Sequence, residues 1–116
     1  MFNYMVEYNM QQLDQVFHAL ADTTRRQLLQ SIASGPCNVT QLAAPYSMSL
    51  NAISKHLKVL EQAGLILREK KGRTHYLTFN HQGVIEAVET LNQLKRHWEE
   101  RLDSLEAYFK AEKRGD

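Results

Sequence analysis

Residues 49–76 read SLNAISKHLKVLEQAGLILREKKGRTHY, and this stretch decides the fold. Ser49 is a good helix cap, and Ile53, Leu57 and Leu60 follow at helical spacing as one apolar stripe. Gly64 then stops the helix. The apolar run 65–69 and the β-branched and aromatic run 74–79 read as two strands. Between them Lys70, Lys71, Gly72 and Arg73 are turn-like, with Gly72 free to take a positive φ. A capped amphipathic helix followed at once by a cationic hairpin predicts a reading helix for a groove and a wing for a backbone.

Upstream, Leu13, Val16, Phe17 and Leu20 lie on one face of a helix over 10–21. Asp22 reads as a fresh N-cap for TTRRQLLQSIASG, whose inner face is Leu28, Leu29 and Ile32 and which ends at Gly35-Pro36. A short helix over 39–44, capped by Asn38 or Thr40, turns Leu42 and Ala43 inward, and Pro45-Tyr46-Ser47 breaks it. Downstream of Asn80 a helical pattern returns and runs to about Lys110, with a charged, fraying tail. The expected order is four helices, two strands and a long helix. That is a mainly α winged helix-turn-helix with a small β-hairpin (α-α-α-α-β-β-α). One domain covers 1–116, with the winged-helix core over 10–80 and a dimerisation helix over 81–110.

The bulk numbers agree with a small regulator. A chain of 116 residues is one domain by length. No apolar run approaches the ~18–20 residues of a membrane span, and MFNYMVEYN has no features of a signal peptide. A cytoplasmic, nucleoid-associated location and no membrane partner are therefore expected. Net charge is only +1, but six basic residues (Lys55, Lys58, Arg68, Lys70, Lys71, Arg73) face two acids (Glu61, Glu69) between Lys55 and Tyr76, leaving 8 basic and 11 acidic residues elsewhere. A local basic patch on a near-neutral chain fits double-stranded DNA; a solvated charged hairpin is the bland alternative.

On the reading helix, Asn51, Ser54, Lys55 and Lys58 fall opposite the buried stripe and suit base edges and phosphates. Ser49 adds a cap and a phosphate contact, and His56 packs beside Leu57 or meets phosphate. Lys70, Lys71 and Arg73 form the wing clamp. Arg25 and Arg26 either reach the DNA backbone or pair with acids of a dimer. The last helix carries Val84, Val88, Leu91, Leu94, Trp98, Leu102, Leu105 and Phe109 at near-heptad spacing, more apolar surface than so small a core can cover. Pairing with a second copy, with Val16, Phe17 and Leu20 of the first helix alongside, would bury it. A homodimer sets two reading helices roughly 34 Å apart.

ALADTTRRQLL (Ala19 to Leu29), the SxHLKVLExAGL run from Ser54 to Leu65, and GRTHYL (Gly72 to Leu77) resemble the ArsR/SmtB family of bacterial winged-helix repressors. The resemblance spans roughly Leu13 to Trp98. It implies a homodimeric repressor on an inverted-repeat operator, relieved by an effector whose identity is unknown. Metal-sensing relatives use a cysteine cluster near the helix-turn-helix, where this chain has Cys37 alone, short of the three or four ligands a soft metal needs. A two-cysteine redox site is excluded by the count. A second family site joins an Asp-x-His pair on one chain to a His-x-x-Glu pair on the other. His97 and Glu100 match the second pair, while Val84 and Glu86 occupy the first, leaving Glu86, His97 and Glu100 as a degenerate, carboxylate-rich set. No cofactor is expected. His18, His56, His75 and His81 are scattered, and no catalytic constellation appears, so no enzyme is expected. The alternatives are a winged helix used for protein contact without an operator, or a metal-sensing repressor using the degenerate set.

Overall fold

The computed structural model describes residues 2–114, with side chains over 10–113. Its elements are α1 (Phe2–Leu20), α2 (Thr23–Ala33), β1 (Cys37–Asn38), α3 (Val39–Ala43), α4 (Leu50–Gln62), β2 (Ile66–Lys71), β3 (Thr74–Phe79) and α5 (His81–Arg114). The architecture is the winged helix-turn-helix read from the sequence, with three differences. The hairpin gains a third strand, so the antiparallel sheet runs β1-β3-β2. Cys37 pairs with Leu77 and Asn38 with Tyr76, a two-residue strand too short to show any periodicity. The first helix begins well before residue 10. Lys70 and Lys71 belong to β2, and the turn proper is Gly72-Arg73, since Lys71 pairs with Thr74. Gly72 has φ 65° and Arg73 is not positive, which is the pattern of a II′ hairpin turn.

Local chemistry sets each boundary. Asp22 accepts from the Arg25 N–H at 3.0 Å and starts α2. Of the two expected caps for α3, Asn38 is used: its Oδ1 accepts from Gln41 N at 2.8 Å, while Gln41 Oε1 accepts from Asn38 N at 2.9 Å, a reciprocal capping box. Ser49 Oγ accepts from Ala52 N at 3.1 Å and starts α4.

One core is shared by all of these elements. Leu28 and Ile32 of α2, Ile53, Leu57 and Leu60 of α4, and Ile66 and Leu77 of the sheet are its largest fully buried side chains. Leu42 and Ala43 of α3 and Ala19 of α1 complete it. Val16, expected at a dimer interface, is instead a core residue at 5% exposure. Leu20 and Val84 are partly buried against the same core. The apolar face of α1 therefore divides, with Val16 and Ala19 inward and Phe17 outward.

The end of α4 is the most constrained point of the chain. Gly64 N donates to Glu61 O at 3.0 Å and Leu65 N to Leu60 O at 3.1 Å, with Gly64 at φ 78°, which makes a Schellman stop. Asn80 Nδ2 then donates to Gly64 O at 2.8 Å, and Gln12 Nε2 of α1 to Ala63 O at 3.0 Å. Asn80 also caps α5 by accepting from Gly83 N at 3.3 Å. A Cβ at Gly83 would overlap the Gly64 carbonyl and lie 2.6 Å from Asn80 Nδ2. Replacing a helical glycine by alanine usually stabilises by up to about 1 kcal/mol. Here the sign reverses: Gly83→Ala should lower stability by about 1–3 kcal/mol, the range for overpacking, as read by urea denaturation. A neutral or stabilising result would show that α5 does not abut this junction.

Candidate DNA-reading surface

The outward face of α4 carries Asn51, Ser54, Lys55 and Lys58, all exposed. Their common orientation follows from Ile53, Leu57 and Leu60, which are fully buried and fix the rotation of the helix. The Ser49 cap leaves the helix N-terminus exposed beside them. Lys70, Lys71 and Arg73 are exposed at the far end of the wing. The wing root is tied to α4 by Arg68 Nε, 3.6 Å from Glu61 Oε2, with both side chains about one-third exposed. A pair this exposed contributes less than about 1 kcal/mol. Six cationic or amide side chains and the Ser54 hydroxyl are thus exposed on α4 and the wing.

His56 does not share that face. It is half-buried on the flank of α4, and Arg25 Nη1 lies 3.2 Å from its Nδ1. A guanidinium can only donate, so Nδ1 accepts and the ring proton sits on Nε2. Asp22 Oδ2 is 4.0 Å from the same nitrogen. His56, expected to pack beside Leu57 or to meet phosphate, thus packs, and ties α4 to α2.

Both arginines of TTRR bond back to the end of α1. Arg25 Nε donates to Ala19 O at 2.8 Å and Nη2 to His18 O at 2.9 Å. Arg26 Nη1 donates to Leu20 O at 2.8 Å. These carbonyls end α1 and have no partner within the helix, so the two guanidinium forks close it. To the expected roles, phosphate contact or pairing with acids of a dimer, the structure adds this one. The sequence signal was present: two arginines spaced just after a helix end can reach back to its last carbonyls.

The long helix α5 leaves an apolar stripe open. Val88, Leu91, Trp98, Leu102, Leu105, Tyr108 and Phe109 are all exposed, Trp98 at 54%, and Leu94 is half-buried. Phe17 of α1 is exposed at 51%. Ion pairs line the polar side: Lys95 Nζ to Glu99 Oε1 at 3.7 Å and Lys110 Nζ to Glu106 Oε1 at 3.1 Å. Lys95 is thus the partner of Glu99.

Glu86, His97 and Glu100 are strung along α5, and Glu86 Oε1 accepts from Gln82 Nε2 at 3.2 Å. Within one chain and among the described residues, no three metal-ligating side chains come together; a site built from two chains is a separate matter. Cys37 is half-buried, its Sγ–H directed at Gly35 O, 3.3 Å away.

The family model for bacterial regulatory proteins of the arsR family matches residues 22–67. The HTH-type transcriptional regulator Rv2034 of Mycobacterium tuberculosis is 36% identical over 85 residues, 73% of this chain and 77% of that protein. The chain belongs to the ArsR family of transcriptional regulators. The transcriptional repressor SdpR of Bacillus subtilis is 34% identical over 68 residues, 59% of this chain and 76% of its own. The solution structure of the homodimeric winged helix-turn-helix DNA-binding domain Mb0332 from Mycobacterium bovis superposes with a TM-score of 0.60 at 26% identity, over 78% of this chain and 85% of that one. In this ArsR-family chain, α2–α4 form the helix-turn-helix and β2–β3 the wing.

The Asp22 cap gives a pH test. The Arg25 backbone N–H holds the Asp22 carboxyl below its ordinary value, outweighing the opposing effect of burial, with a smaller push from the Arg25 charge. A lowered folded-state pKa contributes stability that is fully present above the ordinary carboxylate value and is lost as pH falls through the folded one. Asn is as good a cap but carries no charge. The stability advantage of wild type over Asp22→Asn should therefore be constant near neutrality and shrink toward zero under acid, as followed by thermal melts across pH. An advantage that grows on acidification would refute the assignment.

Proposed function

We propose that this ArsR-family chain is a homodimeric repressor that binds an inverted-repeat operator in double-stranded DNA. The whole chain acts as one winged-helix domain: residues 10–80 read the duplex and 81–110 pair the two copies. Asn51, Ser54, Lys55 and Lys58 meet base edges and nearby phosphates, Ser49 holds the helix start, and Lys70, Lys71 and Arg73 clamp the flanking backbone. It works in the cytosol at the nucleoid and catalyses no reaction.

The observation that supports this reading is the exposure of all these groups, with the rotation of α4 fixed by its buried stripe. Pairing is supported by the open stripe from Val88 to Phe109 with Phe17 beside it, because exposed apolar surface of this extent marks an interface. A second copy would also supply the two-fold symmetry an inverted repeat needs. The polar and basic outer face of α4 disfavours a module built only for protein contact. The Glu86, His97 and Glu100 set remains a proposal for a site shared between chains, tested by repeating DNA binding with Zn(II) and with a chelator.

Selection of bound duplexes from a random pool should enrich one palindromic sequence. Lys55→Ala should then weaken binding to it more than binding to random DNA. Arg73→Ala should weaken both and lower the slope of log K against log salt by about 1 per half-site. Trp98→Glu should convert the dimer to monomer in sedimentation and lower operator affinity at least tenfold. A Trp98→Glu variant that stays dimeric would rule out pairing through the α5 stripe.

A further inference from the structure

Leu50 is out of place for a residue of its type. It is the first residue of α4, and it is 56% exposed. Met48, on the other side of the Ser49 cap, is 38% exposed. The buried stripe begins only at Ile53, so neither residue contributes to the core. Ser54 lies one turn above Leu50, and Asn51, Lys55 and Lys58 surround that turn, all exposed. Two apolar side chains thus stand at the leading end of the reading helix, inside a polar and cationic field.

That setting selects the occupant. A protein partner gripping an apolar site calls for a contiguous patch of several hundred Å². Leu50 is the one large apolar side chain of α4 that is more than half exposed among the described residues. A duplex supplies the complement of the whole field: phosphates for the lysines, hydrogen-bonding base edges for Asn51 and Ser54, and an apolar feature in the major groove, the thymine 5-methyl group. The Ser49 Oγ to Ala52 N bond of 3.1 Å holds the first turn, and with it the Leu50 backbone, in one position.

We infer that Leu50, with Met48 beside it, reads thymine through its 5-methyl group and so sets one base position in each half-site. The inference rests on the DNA-reading function proposed above and adds what it leaves open, a base identity chosen by apolar contact.

The test uses the full chain and the duplex obtained by selection. Each thymine is replaced in turn by deoxyuridine, which lacks the methyl and keeps every hydrogen-bonding group. Covering one methyl corresponds to about fourfold in affinity. The expected result is that one thymine per half-site costs wild type about fourfold as uracil, and that Leu50→Ala abolishes this difference. The salt dependence and the melting temperature should stay unchanged, because Leu50 touches neither phosphate nor core. Met48→Ala should reduce the difference without removing it. A uracil penalty of equal size in Leu50→Ala, or no penalty at any thymine, overturns the inference while leaving the operator function intact. Failure of wild type to enrich any sequence overturns both.

Discussion

The reading apparatus hangs on the junction at Gly64. Three consecutive carbonyls there are taken by side or main chains from elsewhere: Ala63 by Gln12, Gly64 by the Asn80 amide, and Leu65 by the Asn80 N–H at 3.0 Å. One residue, Asn80, thus closes α4, aligns β2 and opens α5. The left-handed φ at Gly64 makes this possible, because a side chain there would be strained and would crowd Gln12 Nε2 at 3.2 Å. A rotation of α4 would have to break hydrogen bonds to α1 and α5 together. α4 and the helices that carry the open apolar stripe are thereby held in one frame.

A second tie works at the other end of the same frame. The Arg25 guanidinium spans the last carbonyls of α1 and the ring of His56 on α4. Such a planar fork holds fixed angles, which a lysine could not supply. Asp22 both caps α2 and keeps a negative charge beside the pair. With Gln12 to Ala63 at one end of α4 and Arg25 to His56 further along it, α1 and α2 hold α4 at two places. Displacement of α1 against a partner would therefore be felt at Lys55 and Lys58.

The sequence revealed what depends on periodicity and on caps. Ile53, Leu57 and Leu60 identified the buried face of α4, and Ser49 and Gly64 its ends. Gly72 marked the wing turn to within two residues. The features that stayed hidden depend on three-dimensional proximity. Cys37 and Asn38 become a strand only because β3 lies alongside. Val16 and Phe17 are equally apolar neighbours, and only the packing of α1 on Leu28 and Ile32 decides which turns inward. His56 meets Arg25 only because α2 and α4 pack together. Leu50, at helical spacing from Leu57, matches the core stripe in pattern, and only its exposure separates it.

The length of α5 has a consequence for dosage. At 34 residues it extends about 51 Å, and its last turns, bearing Leu102, Leu105 and Phe109, touch little of their own chain. Where pairing buries that stripe, the single chain is the less stable form and assembly follows mass action. Occupancy of a two-fold site by such a chain rises with roughly the square of its concentration while monomer predominates. A modest change in copy number, through synthesis or proteolysis, would then act as a threshold with no small molecule involved.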